Sequence, residues 1–169
     1  MTGHDEPRWL SGDEQESWRA YLRGSRLLDE ALDRDLQAHG LQLSEYEIIS
    51  MLSESPGQRL RMSELAALVV QSRSRLTHTA SRLETRGWVT REACASDRRG
   101  VELVLTTEGA ERVVRTSCAH VESVRRNLLD VLTPEQFAAL GVAMSLVRDA
   151  QIEPHAAAVE ADCLAAESA

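Results

Sequence analysis

The stretch from Leu60 to Thr106 reads LRMSELAALVVQSRSRLTHTASRLETRGWVTREACASDRRGVELVLT. Its first half contains two short segments whose apolar residues recur at helical spacing. Ser63 is placed to cap the first of them, over 64–70. Ser72 is placed to cap the second, which Gly87 ends. Two adjacent capped helices predict a helix-turn-helix.

The second half of this stretch changes to strand-like spacing. Trp88–Ala93 and Val101–Leu105 are short runs rich in β-branched residues, on either side of a polar turn. We therefore predict a β-hairpin with Ser96–Gly100 at its tip. Two helices followed by a hairpin form a winged helix-turn-helix, a mainly α fold with a small β-wing (α+β).

Amphipathic segments precede this domain. Residues 14–39 carry one apolar stripe and end at Gly40, and Ser44-x-x-Glu47 is a capping box that predicts the start of a second helix. Arg59–Met62 is predicted to form a short strand. The stripe in 14–39 consists of Trp18, Tyr21, Leu22, Leu28, Leu32 and Leu36.

Further helices are predicted after the hairpin. Thr106 or Thr107 begins one that extends to about Asp130, and Thr133–Gln136 is a capping box that opens the next. Past Ile152 the chain is rich in Ala and Glu, and Pro154 predicts a break. The expected apolar positions are Val113, Val114, Ser117, Val121, Val124, Leu128, Phe137, Leu140, Met144 and Val147.

The outer helices present more apolar surface than the small central domain covers, so we expect a second copy of the chain to cover it. The predicted organisation is an N-terminal arm and dimerisation helix at 1–40, a winged helix-turn-helix domain at 41–106, C-terminal dimerisation helices at 107–152 and an Ala/Glu-rich tail at 153–169.

The charge of the chain is unevenly distributed. The 169 residues include 27 acidic and 19 basic residues, the latter all Arg, for a net charge of −8. Residues 59–101 hold nine Arg and four acidic residues and so carry +5, whereas the remainder carries −13. A basic segment with this predicted fold indicates double-stranded DNA as the partner and assigns 41–106 to DNA binding.

The second predicted helix of this domain has two distinct faces. Leu76, Ala80 and Leu83 share the core side, and the opposite side carries no carboxylate, which suits an acceptor-rich anionic surface. We expect contacts to base edges from Ser74, Arg75 and His78, and to phosphates from Arg73, Thr77 and Arg82. The remaining expected DNA contacts are Arg61, Ser63, Asp97, Arg98 and Arg99, with the hairpin arginines in the minor groove and Asp97 orienting Arg99.

Asp97-Arg98-Arg99 followed by Leu103-Val104-Leu105-Thr106 resembles the D-x-R…L-x-L-T wing signature of the MarR family of bacterial transcriptional regulators. The helices before the wing are similar to that family at Leu65-Ala66, Thr77, Arg82-Leu83-Glu84 and Gly87-Trp88-Val89. The resemblance covers about 44–108 by motif and the flanking helices by layout.

This resemblance implies a triangular dimer in which Ser72–Arg86 is the recognition helix and Arg99 enters the minor groove. His78 departs from the residues that many relatives carry, so base preference is not transferred. The resemblance also implies a pocket for phenolic or other small aromatic anions between the dimer helices and the winged domain. Residues that line such a pocket are expected to be Trp18, Arg19, His39 and Tyr46.

Several functional classes lack their sequence signals. No GxSxG, HExxH, GxGxxG or P-loop motif occurs, so neither enzyme activity nor a cofactor is predicted. The five His form no i,i+4 pair, and no metal site is predicted. No apolar run approaches the roughly 18 residues that span a bilayer, and Met1–Asp13 lacks the apolar stretch of a signal peptide. We expect a cytoplasmic protein without membrane contact.

Together these features predict a homodimeric, sequence-specific DNA-binding transcriptional regulator. It is expected to repress at a palindromic operator and to be released by a small aromatic or anionic effector. Two alternatives stay open. Cys94, near Arg91 and Arg98, permits a thiol-based redox sensor on the same fold. A winged-helix protein-interaction module that does not bind DNA has the same elements, and the salt dependence of DNA affinity separates it.

Overall fold

The computed structural model describes the backbone of residues 7–94 and 97–167, and the side chains of residues 7–94 and 100–151. The chain divides into two compact units, one ending at Asn127 and the other beginning at Leu128. Most elements are helical and one antiparallel sheet has three strands, which confirms the predicted fold class. In chain order the elements are α1 (Gly12–Gln37), α2 (Leu43–Glu54), a 3-10 turn (Pro56–Gln58), β1 (Arg59–Arg61), α3 (Met62–Leu68), α4 (Arg73–Thr85), β2 (Val89–Cys94), β3 (Asp97–Leu105), α5 (Thr107–Val124), a π-helical turn (Arg125–Leu129) and α6 (Pro134–Glu167).

Helix α1 begins two residues earlier than predicted because Ser11 and Glu14 cap it reciprocally. The Ser11 N–H donates to Glu14 Oε2 (2.7 Å), and the Glu14 N–H donates to Ser11 Oγ (3.2 Å). At the other end Gly40 adopts a φ of +74°, which terminates the helix as predicted. Leu36 near that end is buried, whereas every side chain over 12–21 is exposed.

Helix α2 begins at Leu43, so the predicted capping box at 44–47 is wrong. The Gln42 N–H donates to Glu45 Oε2 (3.0 Å), and the Leu43 N–H donates to Asp33 Oδ1 on α1 (2.7 Å). Glu45 therefore caps α2 from within its first turn, and α1 supplies the second acceptor through Asp33. The sequence pattern did not show this acceptor because it comes from another helix.

Ser63 was predicted to cap helix α3. The helix begins one residue earlier, at Met62, so Ser63 lies in its first turn and the prediction is wrong. The capping acceptor is Glu64, whose Oε2 accepts the Arg61 N–H (3.3 Å). A carboxylate at the third helical position offers a stronger acceptor than the Ser63 hydroxyl, which explains the earlier start.

The turns after α3 and α4 share one hydrogen-bond pattern but differ at their left-handed position. After α3, the N–H groups of Val70 and Gln71 donate to carbonyls of the helix (3.4 and 3.1 Å), and Val70 has a φ of +49°. After α4, the N–H groups of Gly87 and Trp88 do the same (2.9 and 3.0 Å), and Gly87 has a φ of +73°. Both are Schellman turns. Glycine adopts this conformation without strain, and a β-branched residue does not.

Helix α4 matches its prediction closely. Ser72 caps it by accepting the Arg75 N–H at Oγ (3.3 Å), and Leu76, Ala80 and Leu83 are buried as predicted. They belong to the core of the first unit, which consists of Leu36, Leu41, Tyr46, Ile48, Ile49, Leu52, Leu65, Ala66, Leu76, Ala80, Leu83, Val89, Leu103, Leu105 and Val113.

The sheet has the strand order β1, β3, β2, with the central strand β3 antiparallel to both neighbours. The short strand predicted at 59–62 is present as β1, and Arg59 pairs with Val104 on β3. The predicted hairpin is formed by β2 and β3, and its paired residues include Val89 and Leu105. Strand β1, which leads directly into α3, therefore belongs to the same sheet as the two strands of the wing.

The predicted tip at Ser96–Gly100 is corrected in part. Strand β3 begins at Asp97, so Arg98 and Arg99 have strand backbone rather than turn backbone. Residues 95–96 lie outside the described residues. The register shifts beside Cys94, which pairs with Asp97, and residues 98–100 consequently form a bulge on β3.

Helix α5 buries only part of the predicted stripe, in which Val113 is buried as expected. Thr106 caps it by accepting the Gly109 N–H at Oγ1 (3.0 Å). Val114 and Val121, expected to belong to one apolar stripe, are 72% and 53% exposed. The buried side of α5 is instead largely polar and includes Thr116 and Ser123.

An acidic residue of α1 explains this polar side of α5. Ser123 Oγ and Arg126 Nη2 both donate to Asp35 Oδ2. These interactions, the Ser123 hydrogen bond foremost, lower the pKa of Asp35 below its ordinary value. Hydrogen bonding therefore replaces the apolar contact that the sequence pattern led us to expect.

The second unit contains α6, which Thr133 and Gln136 open with the predicted capping box. The Thr133 N–H donates to Gln136 Oε1 (2.9 Å), and the Gln136 N–H donates to Thr133 Oγ1 (3.2 Å). The break predicted at Pro154 is wrong, since α6 continues to Glu167. The Ala-rich sequence around the proline has high helix propensity, which favours continuation of the helix.

Candidate nucleic-acid interface

The outward face of α4 is exposed and polar. Ser74, Arg75, Thr77 and His78 are all exposed, on the opposite side of the helix from its buried leucines. The Thr77 hydroxyl donates to the Arg73 carbonyl one turn earlier (2.8 Å), which fixes its rotamer and leaves lone pairs facing outward. This face can donate through its guanidinium groups and accept through its hydroxyl groups.

A groove of about 510 Å³ lies beside this face, between α3, α4 and the wing. It brings together four residues predicted to contact DNA, namely Arg61, Ser63, Arg73 and Thr77. Three guanidinium groups and two hydroxyl groups contribute to its lining when Arg91 is included. Such a surface suits the oxygen atoms of a phosphodiester backbone.

Arg91 is the residue of this groove that the sequence prediction missed. Its Nη1 forms an ion pair with Glu84 on α4, and its Nη2 donates to the Thr77 carbonyl (3.1 Å) and to Ser81 Oγ (3.0 Å). The wing is thereby attached to the outward side of the recognition helix. The strand alternation offered a signal, since Arg91 shares a face of β2 with the buried Val89, an unusual place for a charge without a partner.

Arg82 does not join this surface, contrary to the prediction. Its Nε donates to Glu45 Oε1 (3.2 Å) and its Nη2 to Gln42 Oε1 (2.8 Å), so the side chain is directed towards α2. The carboxylate of Glu45 is buried and needs a cationic partner, and this requirement takes precedence over exposure of the guanidinium. We therefore remove Arg82 from the proposed interface.

The chain is similar to known regulators of transcription. A family profile described as MarR family matches residues 39–100. The chain is 47% identical to Sco3205, a MarR family transcriptional regulator from Streptomyces coelicolor whose crystal structure is in complex with DNA. The match covers 87% of this chain and 92% of that one, with a TM-score of 0.82. This chain belongs to the MarR family of transcriptional regulators.

Two curated regulators of transcription match over shorter stretches. The HTH-type transcriptional regulator PecS of Dickeya dadantii is 33% identical over 113 residues, 66% of each protein. The transcriptional repressor MprA of Escherichia coli is 32% identical over 87 residues, 52% of this chain and 49% of MprA. The chain thus spans between about half and two thirds of the length of these relatives. Both relatives are named as regulators of transcription.

The wing residues of this MarR chain are described only in part. The backbones of Asp97, Arg98 and Arg99 lie at the start of β3, where residues 98–100 form the bulge. Their side chains lie outside the described residues, and the orienting contact between Asp97 and Arg99 stays a prediction.

The predicted effector residues do not converge in one MarR protomer. Trp18 stacks on Tyr21 with ring centroids 5.8 Å apart and is 49% exposed. Arg19 is its neighbour on α1, whereas His39 follows the far end of that helix, roughly 30 Å away at 1.5 Å per residue. Of the four predicted residues, Tyr46 lines a described cavity, a pocket of about 440 Å³.

The Tyr46 pocket also contains His120 of α5. The two rings lie 4.4 Å apart between centroids, and His120 Nδ1 is buried without a hydrogen-bond partner among the described residues. Burial lowers the pKa of His120 below its ordinary value, so the imidazole is neutral near pH 7. The sequence prediction missed His120 because nothing in the helical spacing of α5 placed it opposite Tyr46.

The described residues include two cysteines, Cys94 and Cys118, which differ in exposure. Over the described residues no three His, Cys, Asp or Glu side chains are grouped so as to hold a metal ion. The Cys94 thiol is buried and donates to Glu102 Oε1 (3.5 Å), a position with little access for an oxidant. Cys118 is exposed on α5.

Proposed function

We propose that this chain is a homodimeric repressor that binds a palindromic operator in double-stranded DNA and dissociates when a small aromatic effector binds. A regulator that acts on chromosomal DNA in this way works in the cytoplasm. The observation that carries the proposal is the grouping of Arg61, Ser63, Arg73 and Thr77 in one groove beside the exposed face of α4.

The division of labour on this surface follows from groove geometry. Ser74, Arg75 and His78 project from the exposed face of α4 and reach base edges in the major groove. The groove between α3, α4 and the wing receives the flanking phosphates. The bulge at 98–100 carries Arg98 and Arg99 into the adjacent minor groove. The crystal structure of the similar protein Sco3205 is in complex with DNA, which supports DNA as the partner of this surface.

Dimerisation is supported by apolar side chains that their own unit leaves exposed. On α1 these include Trp18 and Tyr21. On α6 they include Phe137, Leu140, Met144 and Val147, the stripe expected from the sequence. Exposed apolar stripes of this length mark protein contacts, and a second copy of the chain provides a matching surface.

The pocket of Tyr46 and His120 is the proposed effector site. Two aromatic rings and the apolar side chains of Met51, Leu68 and Val69 suit a planar aromatic molecule. His120 Nδ1 is buried without a hydrogen-bond partner among the described residues, so a donor on a molecule that displaces its neighbours would gain a hydrogen bond there. Glu47 also lines the pocket and disfavours an anion, so we favour the aromatic over the anionic class. The relative named as a repressor, MprA, supports the direction of regulation.

DNA binding is tested with duplexes that the wild-type protein selects from a randomised library. The selected sites are expected to be inverted repeats with centres about one helical turn, roughly 10 bp, apart. Affinity should fall steeply as salt rises, because several arginines displace counterions. Weak binding that is insensitive to salt and sequence would instead favour the protein-interaction module.

Dimerisation is tested by sedimentation of the wild-type protein and of a variant in which Phe137 and Leu140 are replaced by Glu. The wild type is expected to sediment as a dimer, and the variant as a folded monomer that retains only weak, salt-sensitive DNA binding. A wild-type monomer that still protects a palindromic site would contradict the proposed arrangement.

Effector binding is tested by screening neutral planar aromatic compounds and aromatic acids for a rise in Tm. Binding compounds should raise the Tm of the wild type and lower its DNA affinity, and His120→Ala should abolish both effects. Compounds that act equally on the variant would place the site elsewhere.

A further inference from the structure

The carboxylate of Glu45 is buried at the start of α2, with 1% of the residue exposed. Its Oε2 accepts the Gln42 N–H (3.0 Å), which caps the helix. The same carboxylate also contacts Arg82 of α4 and Arg86, the residue that caps the C-terminal end of α4. Arg82 Nε donates to Oε1 (3.2 Å), and Arg86 Nη1 lies 3.4 Å from Oε2.

Arg82 and Arg86 are four residues apart and lie on one side of α4. Each has a second acceptor near the start of α2, since Arg82 donates to Gln42 Oε1 (2.8 Å) and Arg86 to the Gly40 carbonyl (2.8 Å). The Arg86 guanidinium also lies over the Trp88 ring at 4.9 Å. Two points along the recognition helix are thereby fixed to the loop and helix that follow α1.

These two attachments restrict the rotation and sliding of α4, which its apolar contacts with the core restrict only weakly. The buried side of α4 consists of Leu76, Ala80 and Leu83, and contacts of this kind are not directional. Ion pairs to one buried carboxylate are directional and fix both the rotation of α4 about its axis and its displacement along it. Reading bases needs this alignment, whereas general attraction to phosphates does not.

We propose that Glu45 is a positioning residue for operator recognition, which holds α4 through Arg82 and Arg86 so that Ser74, Arg75 and His78 meet the base edges in register. This inference rests on the proposed DNA-binding function. It assigns Arg82 a role that is indirect and does not touch DNA. We call the contacts of Glu45 with Arg82 and Arg86 the Glu45 clamp. Loss of this clamp lowers the discrimination between DNA sequences and leaves the non-specific DNA affinity in place.

The test compares the duplex that the wild type selects with a scrambled duplex of the same length and composition. Full-length Glu45→Gln and Arg82→Gln are measured at one salt concentration, together with their double variant. Glu45→Gln keeps the volume and an acceptor for the Gln42 N–H but removes the charge. The matched control is Glu14→Gln, because Glu14 also caps a helix from within its first turn but is exposed and forms no described ion pair.

We expect each clamp variant to lose about tenfold or more in affinity for the selected duplex. Affinity for the scrambled duplex should change less than about twofold, and the double variant should lose no more than Glu45→Gln alone. The control should match the wild type on both duplexes. Circular dichroism confirms folding, and Arg82→Gln, whose side chain is half exposed, carries the test where Glu45→Gln does not fold.

The outcomes separate three cases. Unchanged discrimination in a folded Glu45→Gln or Arg82→Gln variant overturns the clamp. A loss of affinity for both duplexes in Arg82→Gln, with the salt slope reduced by about one, shows direct phosphate contact and also overturns it. A wild type that shows no sequence preference in the library overturns the proposed function itself, and the positioning role with it.

Discussion

The two halves of the recognition helix α4 carry similar residues but have different surroundings. In the N-terminal half, Arg73 and Arg75 are exposed and form no ion pair with a carboxylate in the described part of the chain. In the C-terminal half, Arg82 and Arg86 both contact the buried Glu45. Whether an arginine of α4 is free to contact DNA or instead holds the helix in place therefore depends on the carboxylates within its reach. Its position on the exposed side of the helix does not decide between these two roles.

This difference changes how the charge of the basic segment is understood. Arg59 pairs with Glu92 and Glu102 on the sheet, and Arg91 pairs with Glu84. Among the side chains that the structure describes, Arg59, Arg82, Arg86 and Arg91 of this segment are therefore paired with glutamates. The positive potential is concentrated where those pairs are absent, at the start of α4.

The largest expected difference between the two halves of α4 is in their contribution to the stability of the fold. Glu45→Ala removes the cap of α2 and the buried carboxylate that Arg82 and Arg86 contact, and should lower the free energy of unfolding by about 3 kcal/mol. Urea denaturation followed by circular dichroism measures this loss. Glu14→Ala removes only an exposed cap and should cost about 1 kcal/mol or less. Equal losses in the two variants would mean that capping alone accounts for Glu45.

In the N-terminal half of α4, a substitution should lower the DNA affinity and leave the stability unchanged. Arg75→Ala is expected to weaken binding of the selected duplex by about 1–3 kcal/mol, because it removes a bidentate base contact. Its Tm should stay that of the wild type, since the side chain is exposed and forms no ion pair. Fluorescence anisotropy measures the affinity, and Arg115→Ala on α5 is the control with the same change of charge. Unchanged affinity would remove the N-terminal half from the interface.

The turns at the two ends of α4 offer a matched pair of substitutions. Val70→Gly relieves a left-handed valine that is 89% exposed and should raise the free energy of unfolding by about 0.5–1 kcal/mol. Gly87→Ala places a side chain at a φ of +73° and should lower it by about 1 kcal/mol. Thermal denaturation of both variants checks the signs. Two changes of the same sign would contradict the role of backbone strain.

The smallest effect is a pH dependence at Glu47, near Arg75. Burial, with the charge of Asp29, raises the pKa of Glu47 above its ordinary value of 4.5. The folded state therefore binds this proton more tightly than the unfolded state, so the stabilisation is complete below 4.5 and is lost as pH rises through the folded pKa.

Glu47→Gln should accordingly be more stable than the wild type at pH 7 and depend less on pH above 4.5. Urea unfolding across that range measures the difference, and Glu111→Gln, an exposed carboxylate on α5, is the control. A wild-type stability that is flat over the same range would exclude the effect.

Sequence patterns predicted what depends on local spacing. The buried side of α4, the caps at Ser72 and Thr133 and the hairpin all follow from residues close together in the chain. Several of the failures share one physical cause, which is a partner from a distant element. Glu45 reaches Arg82 across α2 and α4, and Asp35 reaches Ser123 across α1 and α5.

The candidate site follows the same rule. Exposure of Ser74, Arg75 and His78 was predictable from helical periodicity, because these residues lie opposite a strongly apolar side. Placement of Arg91 against Glu84 was not, because the register of β2 against α4 is set by tertiary packing. The effector residues on α1 and at His39 were taken from a family resemblance, and helix length alone separates them within one protomer.

The pairing of Arg59 with Val104 has a consequence for how the molecule folds. It joins the two ends of a chain segment that contains α3, α4 and β2, so these elements form a closed loop. Closing such a loop lowers the chain entropy, and the contacts inside the loop must form to compensate for this cost. Formation of the helices is therefore coupled to formation of the sheet. Recognition helix and wing are therefore one cooperative folding unit, and neither is expected to unfold locally while the other stays intact.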